Sequence, residues 1–126
     1  MGSVLVIRTR FPSLNEMIAQ AKNHWSAYAK QKRRHTDRVA LEARAARLPR
    51  VKGPVIVCIA WIEPDARRDL DNVAAGGQKS VLDGLVQAGV LPNDTRRWVR
   101  GIEHHFPPPD KTDPRIEIEL QSWIAI

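Results

Sequence analysis

The sequence predicts a single small α+β domain: a mostly antiparallel or mixed sheet of about four strands carrying two main helices. Three observations carry that expectation. Val55 to Ile62 is an unbroken apolar run, apolar on both faces, and so reads as a central strand. Leu14, Met17, Ile18, Ala21, Trp25, Tyr28 and Ala29 recur at three- and four-residue steps, the period of one helix face. Arg97 to Phe106 and Arg115 to Trp123 alternate in polarity, as half-buried strands do. The 126 residues suit one domain over 1–126, with a basic helical part at 13–48 and a sheet-and-helix part at 55–123.

Each element has its own signal. Val4 to Thr9 is apolar and β-branched, a first strand ended by Phe11-Pro12. Ser13-Leu14-Asn15-Glu16 is a capping-box pattern and starts a helix. No Gly or Pro follows until Pro49, but one helix over 13–48 would be about 50 Å long. Either its end projects or it breaks near His35-Thr36-Asp37, where a new N-cap is available. Pro49 to Pro54 is a basic loop leading to the central strand. A second helix starts at Asp69 or Leu70 and runs to about Gln87. Gly76-Gly77 weakens its middle by roughly 1 kcal/mol per glycine, and Gly89 is placed to end it. The last two strands flank Pro107-Pro108-Pro109-Asp110-Lys111 and read as an antiparallel hairpin.

Composition narrows the function. Hydrophobic residues at 43% and charged residues at 27% argue against a disordered chain. No apolar run approaches the ~20 residues of a membrane span. Met1 to Ile7 is short and is followed by Arg8 and Arg10, so no signal peptide is expected. The lone Cys58, in the middle of the apolar run, reads as a buried small hydrophobe in a reducing, cytoplasmic protein. Charge is divided unevenly. Residues 1–53 carry a net +9 and residues 54–126 a net −3, together the overall +6. One part is suited to polyanions and the other collects carboxylates, the pairing a metal-dependent nuclease requires.

The carboxylates concentrate at Arg67-Arg68-Asp69-Leu70-Asp71-Asn72, just after the central strand. Mg²⁺ takes oxygen ligands and commonly one or two carboxylates from a protein. Asp94, in the turn after the second helix, is the candidate third. The plain alternative is a helix cap that favours the macrodipole. A calcium loop is excluded, because its sixth and twelfth positions are Ala74 and Ser80 rather than Gly and Glu. A DxDxV phosphatase motif would need a strand running directly into its first Asp, and Asp65-Ala66-Arg67-Arg68 intervenes.

Taken in order, Arg67-Arg68-Asp69-Leu70-Asp71-Asn72, Gln78-Lys79-Ser80-Val81-Leu82-Asp83-Gly84-Leu85 and Ala88-Gly89-Val90-Leu91-Pro92-Asn93-Asp94 resemble the RusA family of Holliday junction resolvases. The resemblance covers roughly residues 55–122 in motif order and extends weakly to Phe11-Pro12-Ser13-Leu14-Asn15. It implies a homodimeric, Mg²⁺-dependent endonuclease that cuts four-way DNA junctions, with Mn²⁺ a plausible substitute. The family's metal-binding aspartates fall on Asp69, Asp71 and Asp94, and its catalytic lysine on Lys79. Asn72 and Asp83 match further motif positions of less defined role. Two departures stand out. About four extra residues lie within Val73 to Gln78, to be absorbed as one more helical turn or as a bulge at Gly76-Gly77. Asn93 stands where members often carry a second Asp, and can still offer an oxygen.

Outside the carboxylates, Lys30, Lys32, Arg33 and Arg34 suggest a phosphate track or a solvated helix face. Arg67 and Arg68 suggest a grip on the scissile phosphate or an offset to carboxylate repulsion. Trp25, Trp61 and Trp123 read as core or subunit-interface residues; Trp98 also reads as core, with stacking on an unpaired base as the alternative. His104 and His105 point to opposite strand faces and so make a poor chelating pair. Neither a zinc site nor a P-loop has the required spacing. Together these residues favour a nuclease of branched DNA without membrane association. Its rivals are a non-catalytic DNA-binding protein of the same fold and a nuclease for flaps or forks.

Overall fold

The computed structural model of the protein describes residues 4–123. In chain order it contains β1 (Val4–Ile7), α1 (Leu14–Asn23), α2 (Trp25–Ala45), β2 (Val55–Ile62), α3 (Leu70–Gln87), β3 (Val99–His105) and β4 (Arg115–Ser122). The strands form one mixed sheet in the order β1-β4-β2-β3. β4 runs antiparallel to β1 and β2, while β2 and β3 run parallel. The α+β class holds, with three helices rather than two main ones.

Three expectations are corrected. β3 and β4 are not a hairpin, because β2 lies between them. The backbone groups of β2 pair with β3 along one edge and with β4 along the other. The nine residues between β3 and β4 are long enough to pass the end of β2, where the Asp110 N–H donates to the Glu63 carbonyl. The long helical stretch breaks at His24 rather than near His35. His24 leaves helical geometry at φ −146°, ψ 89°. Its N–H closes α1 on the Gln20 carbonyl, and its own carbonyl accepts from Tyr28 to open α2. His35 stays inside α2 with its ring 4.7 Å from that of Phe11. β1 ends at Ile7, two residues early, where Thr9 turns its N–H back to the Ile7 carbonyl.

One face of the sheet meets the helices. Leu5 and Ile7, Val55, Val57, Ile59 and Trp61, and Ile116 and Ile118 supply its side of the core; Val39, Ala43, Val73, Val81 and Leu85 supply the helical side. Cys58 alternates to the other face. It sits opposite Glu119 and Glu103 in the register, and its Sγ is 3.6 Å from Glu103 Oε1. Burial, then the Glu103 and Glu119 charges, push the thiol up to about 11, so it stays protonated at neutral pH. Of the tryptophans, Trp61 is a core residue, whereas Trp25 is 69% exposed.

The glycines of α3 are contact points, not weak spots. α3 runs unbroken through Gly76-Gly77, so the extra residues form helix rather than a bulge. A Cβ at Gly76 would collide with the Pro12–Leu14 backbone; one at Gly77 would reach the Trp61 ring, and one at Gly84 the Val39 side chain. At the far end Gly89 takes φ 81° and the chain closes a Schellman turn, with Gly89 N–H on Val86 and Val90 N–H on Leu85. Gly76→Ala is therefore expected to lose about 1–3 kcal/mol of stability by overpacking against backbone. That loss should outweigh the roughly 1 kcal/mol that alanine gains in a helix. Urea midpoints for Gly76→Ala, with Gly53→Ala in open space as control, measure it; a stabilised Gly76→Ala protein would contradict the close seating.

Candidate functional site

β2 delivers the chain to Glu63, and a polar turn carries it to the start of α3. Arg68 organises that turn. Its Nε and Nη2 donate to the two oxygens of Glu63 (2.6 and 2.9 Å), and its Nη1 donates to Glu16 Oε1 (2.7 Å) and the Phe11 carbonyl (2.9 Å). The side chain is only 12% exposed. Four of its five N–H donors are engaged within the protein, so it ties the α3 start to the capping box of α1. Arg67 is the free one of the pair: it is 88% exposed, with a loose 3.8 Å contact to Asp65.

Asp69 and Asp71 follow, both exposed. Asp69 occupies the N-cap position of α3 with extended backbone, yet its carboxylate makes no capping hydrogen bond. The cap reading requires that bond. Asp71 lies in the first turn, with Oδ1 accepting from the Asn72 N–H at 3.0 Å. The positive end of the helix favours both charges.

Further along α3 lies a second charged group. Lys79 Nζ sits 2.8 Å from Asp94 Oδ2 and 3.1 Å from Asp83 Oδ1. The Schellman turn and the buried Val90 and Leu91 fold the 90–98 segment back so that Asp94 reaches the helix. Hydrogen bonds to Asp94 and then Asp83 raise the Lys79 pKa, and the Lys79 bond holds the Asp94 carboxyl below its usual range. The oxygen of Asn93 is engaged by the Thr95 N–H and hydroxyl.

The sequence-predicted residues therefore divide into two stations. Asp71 and Lys79 are eight residues apart, about 12 Å along the axis. The Lys79 ammonium also turns toward Asp83, so Asp94 lies level with that far station. Among the described residues, no group of three or more His, Cys, Asp or Glu side chains is arranged to hold a metal ion. Asp69 and Asp71 still fit a Mg²⁺ site of the kind that keeps several waters, because both offer exposed hard oxygens.

The basic run also sorts itself. Lys30, Arg33 and Arg34 share one helix face by three- and four-residue spacing, are exposed, and have no ion pair among the described residues. Lys32 points elsewhere, lining a small recess with Tyr28 and His35. Sequence reasoning missed one polar chain altogether, Trp61–His104–Gln78, because its members meet only through the parallel pairing of β2 with β3 and the return of α3. No protein-family model and no curated protein matches this chain.

The Arg68 hub yields a pH prediction. Backbone hydrogen bonding to Ser13, then the Arg68 bond, takes the Glu16 carboxyl from its ordinary 4.5 to about 2. A carboxyl lowered on folding stabilises the native state above pH 4.5, and the contribution is lost as pH falls from 4.5 toward 2. The Tm difference between wild type and Glu16→Gln should be full at pH 6 and shrink across that window. A difference that stays constant down to pH 2.5 would show that the charge on Glu16 plays no part.

Proposed function

We propose that the protein is a RusA-like, Mg²⁺-dependent endodeoxyribonuclease acting on branched DNA, with Mn²⁺ as an alternative ion, and that it works as a cytoplasmic homodimer. One observation carries the reading: Asp69 and Asp71 stand exposed at the start of α3, with Asp69 unused as a cap and six residues between it and the end of the central strand. The unpaired cations of α2, which packs on α3, support a polyanionic substrate. No helix among the described residues is long and apolar enough to cross a membrane.

In this reading Asp69 and Asp71 would hold the ion. Bound there, Mg²⁺ would supply Lewis-acid charge and lower the pKa of a bound water. Lys30, Arg33 and Arg34 would track phosphates along α2, and the exposed Arg67 would grip the backbone next to the aspartates. Lys79, held protonated but neutralised by Asp83 and Asp94, would offer ammonium N–H groups rather than a net positive field along the same helix. A two-fold dimer would set two such sites against the two symmetric strands of a junction.

The second reading is a DNA-binding protein without catalysis. It is favoured by the pairing of Lys79 with Asp94 two turns away from Asp69 and Asp71. Junction, flap and duplex substrates with Mg²⁺ or EDTA separate the two readings. Asp69→Asn and Asp71→Asn should each cut metal-dependent cleavage of the junction by at least about 100-fold, more than loss of a supporting residue would, with binding retained or tightened. Junction binding without cleavage by the wild type would establish the second reading.

The basic face is tested by salt. Lys30→Ala, Arg33→Ala and Arg34→Ala together should make the slope of log K against log[salt] shallower by about 0.9 per lost phosphate contact, roughly 2.7 in all. Junction and duplex should weaken together, because phosphate contacts carry little branch information. An unchanged slope in the folded triple variant would identify the run as a solvated face.

A further inference from the structure

The Trp61–His104–Gln78 chain has a direction fixed by chemistry. An indole nitrogen can only donate. Trp61 Nε1 is 2.9 Å from His104 Nδ1, so Nδ1 must be the acceptor and carry no proton. In the neutral ring the proton then resides on Nε2, which is 2.8 Å from Gln78 Oε1 and donates to it. The Gln78 carboxamide is thereby held by its oxygen, and its NH₂ is turned away from His104. That NH₂ has no hydrogen-bond partner among the described residues and is not a buried unsatisfied group.

The scaffold around the chain is rigid. The Trp61 and His104 rings stack at 6.0 Å and 18°, and Gly77 lies against the Trp61 ring with no room for a Cβ. Burial, then the neighbouring His105, lowers the His104 pKa and keeps the ring neutral at physiological pH. Gln78 follows Asp71 by seven residues, on the same helix face and about 10 Å along the axis.

We infer that Gln78 is a substrate-binding residue that donates its carboxamide N–H groups to an anionic phosphate oxygen, with His104 and Trp61 as the positioning residues that fix its orientation. The inference rests on the nucleic-acid reading above and deepens it. The ligand chemistry is a phosphodiester, met along the strand beyond the part facing Asp69 and Asp71.

Two measurements test it. Long-range ¹H–¹⁵N spectra of the wild type should show His104 as the Nε2–H tautomer, and an Nδ1–H tautomer would overturn the orientation. The Gln78 side-chain amide signals should shift on titration with dimethyl phosphate and with a four-way junction. Gln78→Glu keeps an oxygen for His104 but replaces the donor with a charge. It should retain the wild-type Tm and weaken junction binding by about tenfold or more, as expected for a lost hydrogen bond to a charged group of about 1.5–3 kcal/mol. Trp61→Phe releases the tautomer and should weaken binding less, with kcat little changed relative to KM. Wild-type junction affinity in a folded Gln78→Glu protein would overturn the contact. If the wild type binds no DNA but the Gln78 signals shift with dimethyl phosphate, the nuclease reading fails and the phosphate contact stands. Signals that move with neither probe remove the contact itself.

Discussion

Helix α3 lies so close to its neighbours that Gly76, Gly77 and Gly84 leave no space for a Cβ against Pro12–Leu14, Trp61 and Val39. The rest of the structure depends on that seating. It lets the first turn of α1, the central strand β2 and the middle of α2 all meet one helix. It also explains how a 10-residue helix with no fully buried residue is held in place. α1 is fixed at its start by the capping box and by Arg68, and its backbone there lies against Gly76. The three glycines lower helix propensity, but the packing they permit is expected to be worth more than the roughly 1 kcal/mol each forfeits.

Electrostatics follows from the same arrangement. Arg68 is drawn inward because Glu63, Glu16 and the Phe11 carbonyl converge where β2, α1 and α3 meet. A guanidinium with that many acceptors offsets the cost of partial burial. Its neighbour Arg67 has no such neighbours and stays in solvent. Two adjacent arginines of one sequence motif thus acquire different roles, one joining elements and one available to a polyanion. Lys30, Arg33 and Arg34 resemble Arg67 in this respect, and Lys32 resembles neither, being turned into the recess beside His35.

Much of this was legible in the sequence, because it depends on local signals. The apolar run of β2, the bounds of α3, the Ser13 capping box and Gly89 as helix terminator appear where their residue patterns place them. What was not legible is non-local. Nothing in Arg97 to Phe106 shows that its partner is β2 rather than the strand following it in sequence, since alternation defines a face and not a neighbour. The break at His24 has no Gly or Pro to announce it. It exists because α1 must turn back over α3. The three aspartates were legible as residues, but not the distance between them, which depends on how far α3 extends before the chain returns.

That distance bears on the chemistry. Because α3 is continuous from Leu70 to Gln87, Lys79 stands eight residues and about 12 Å beyond Asp71. Lys79 stands level with Asp94 and Asp83 rather than with Asp71. A cation at Asp69 and Asp71 and an ammonium at Lys79 would then meet successive parts of a nucleic-acid backbone instead of one phosphate. The helix becomes a graduated surface, with carboxylates at its positive end and a neutralised lysine cluster toward its other end. Gln78 projects between them on the Asp71 face. If an ion binds at Asp69 and Asp71, its distance from Lys79 is fixed by the rise of one continuous helix, and no bend at Gly76-Gly77 shortens it.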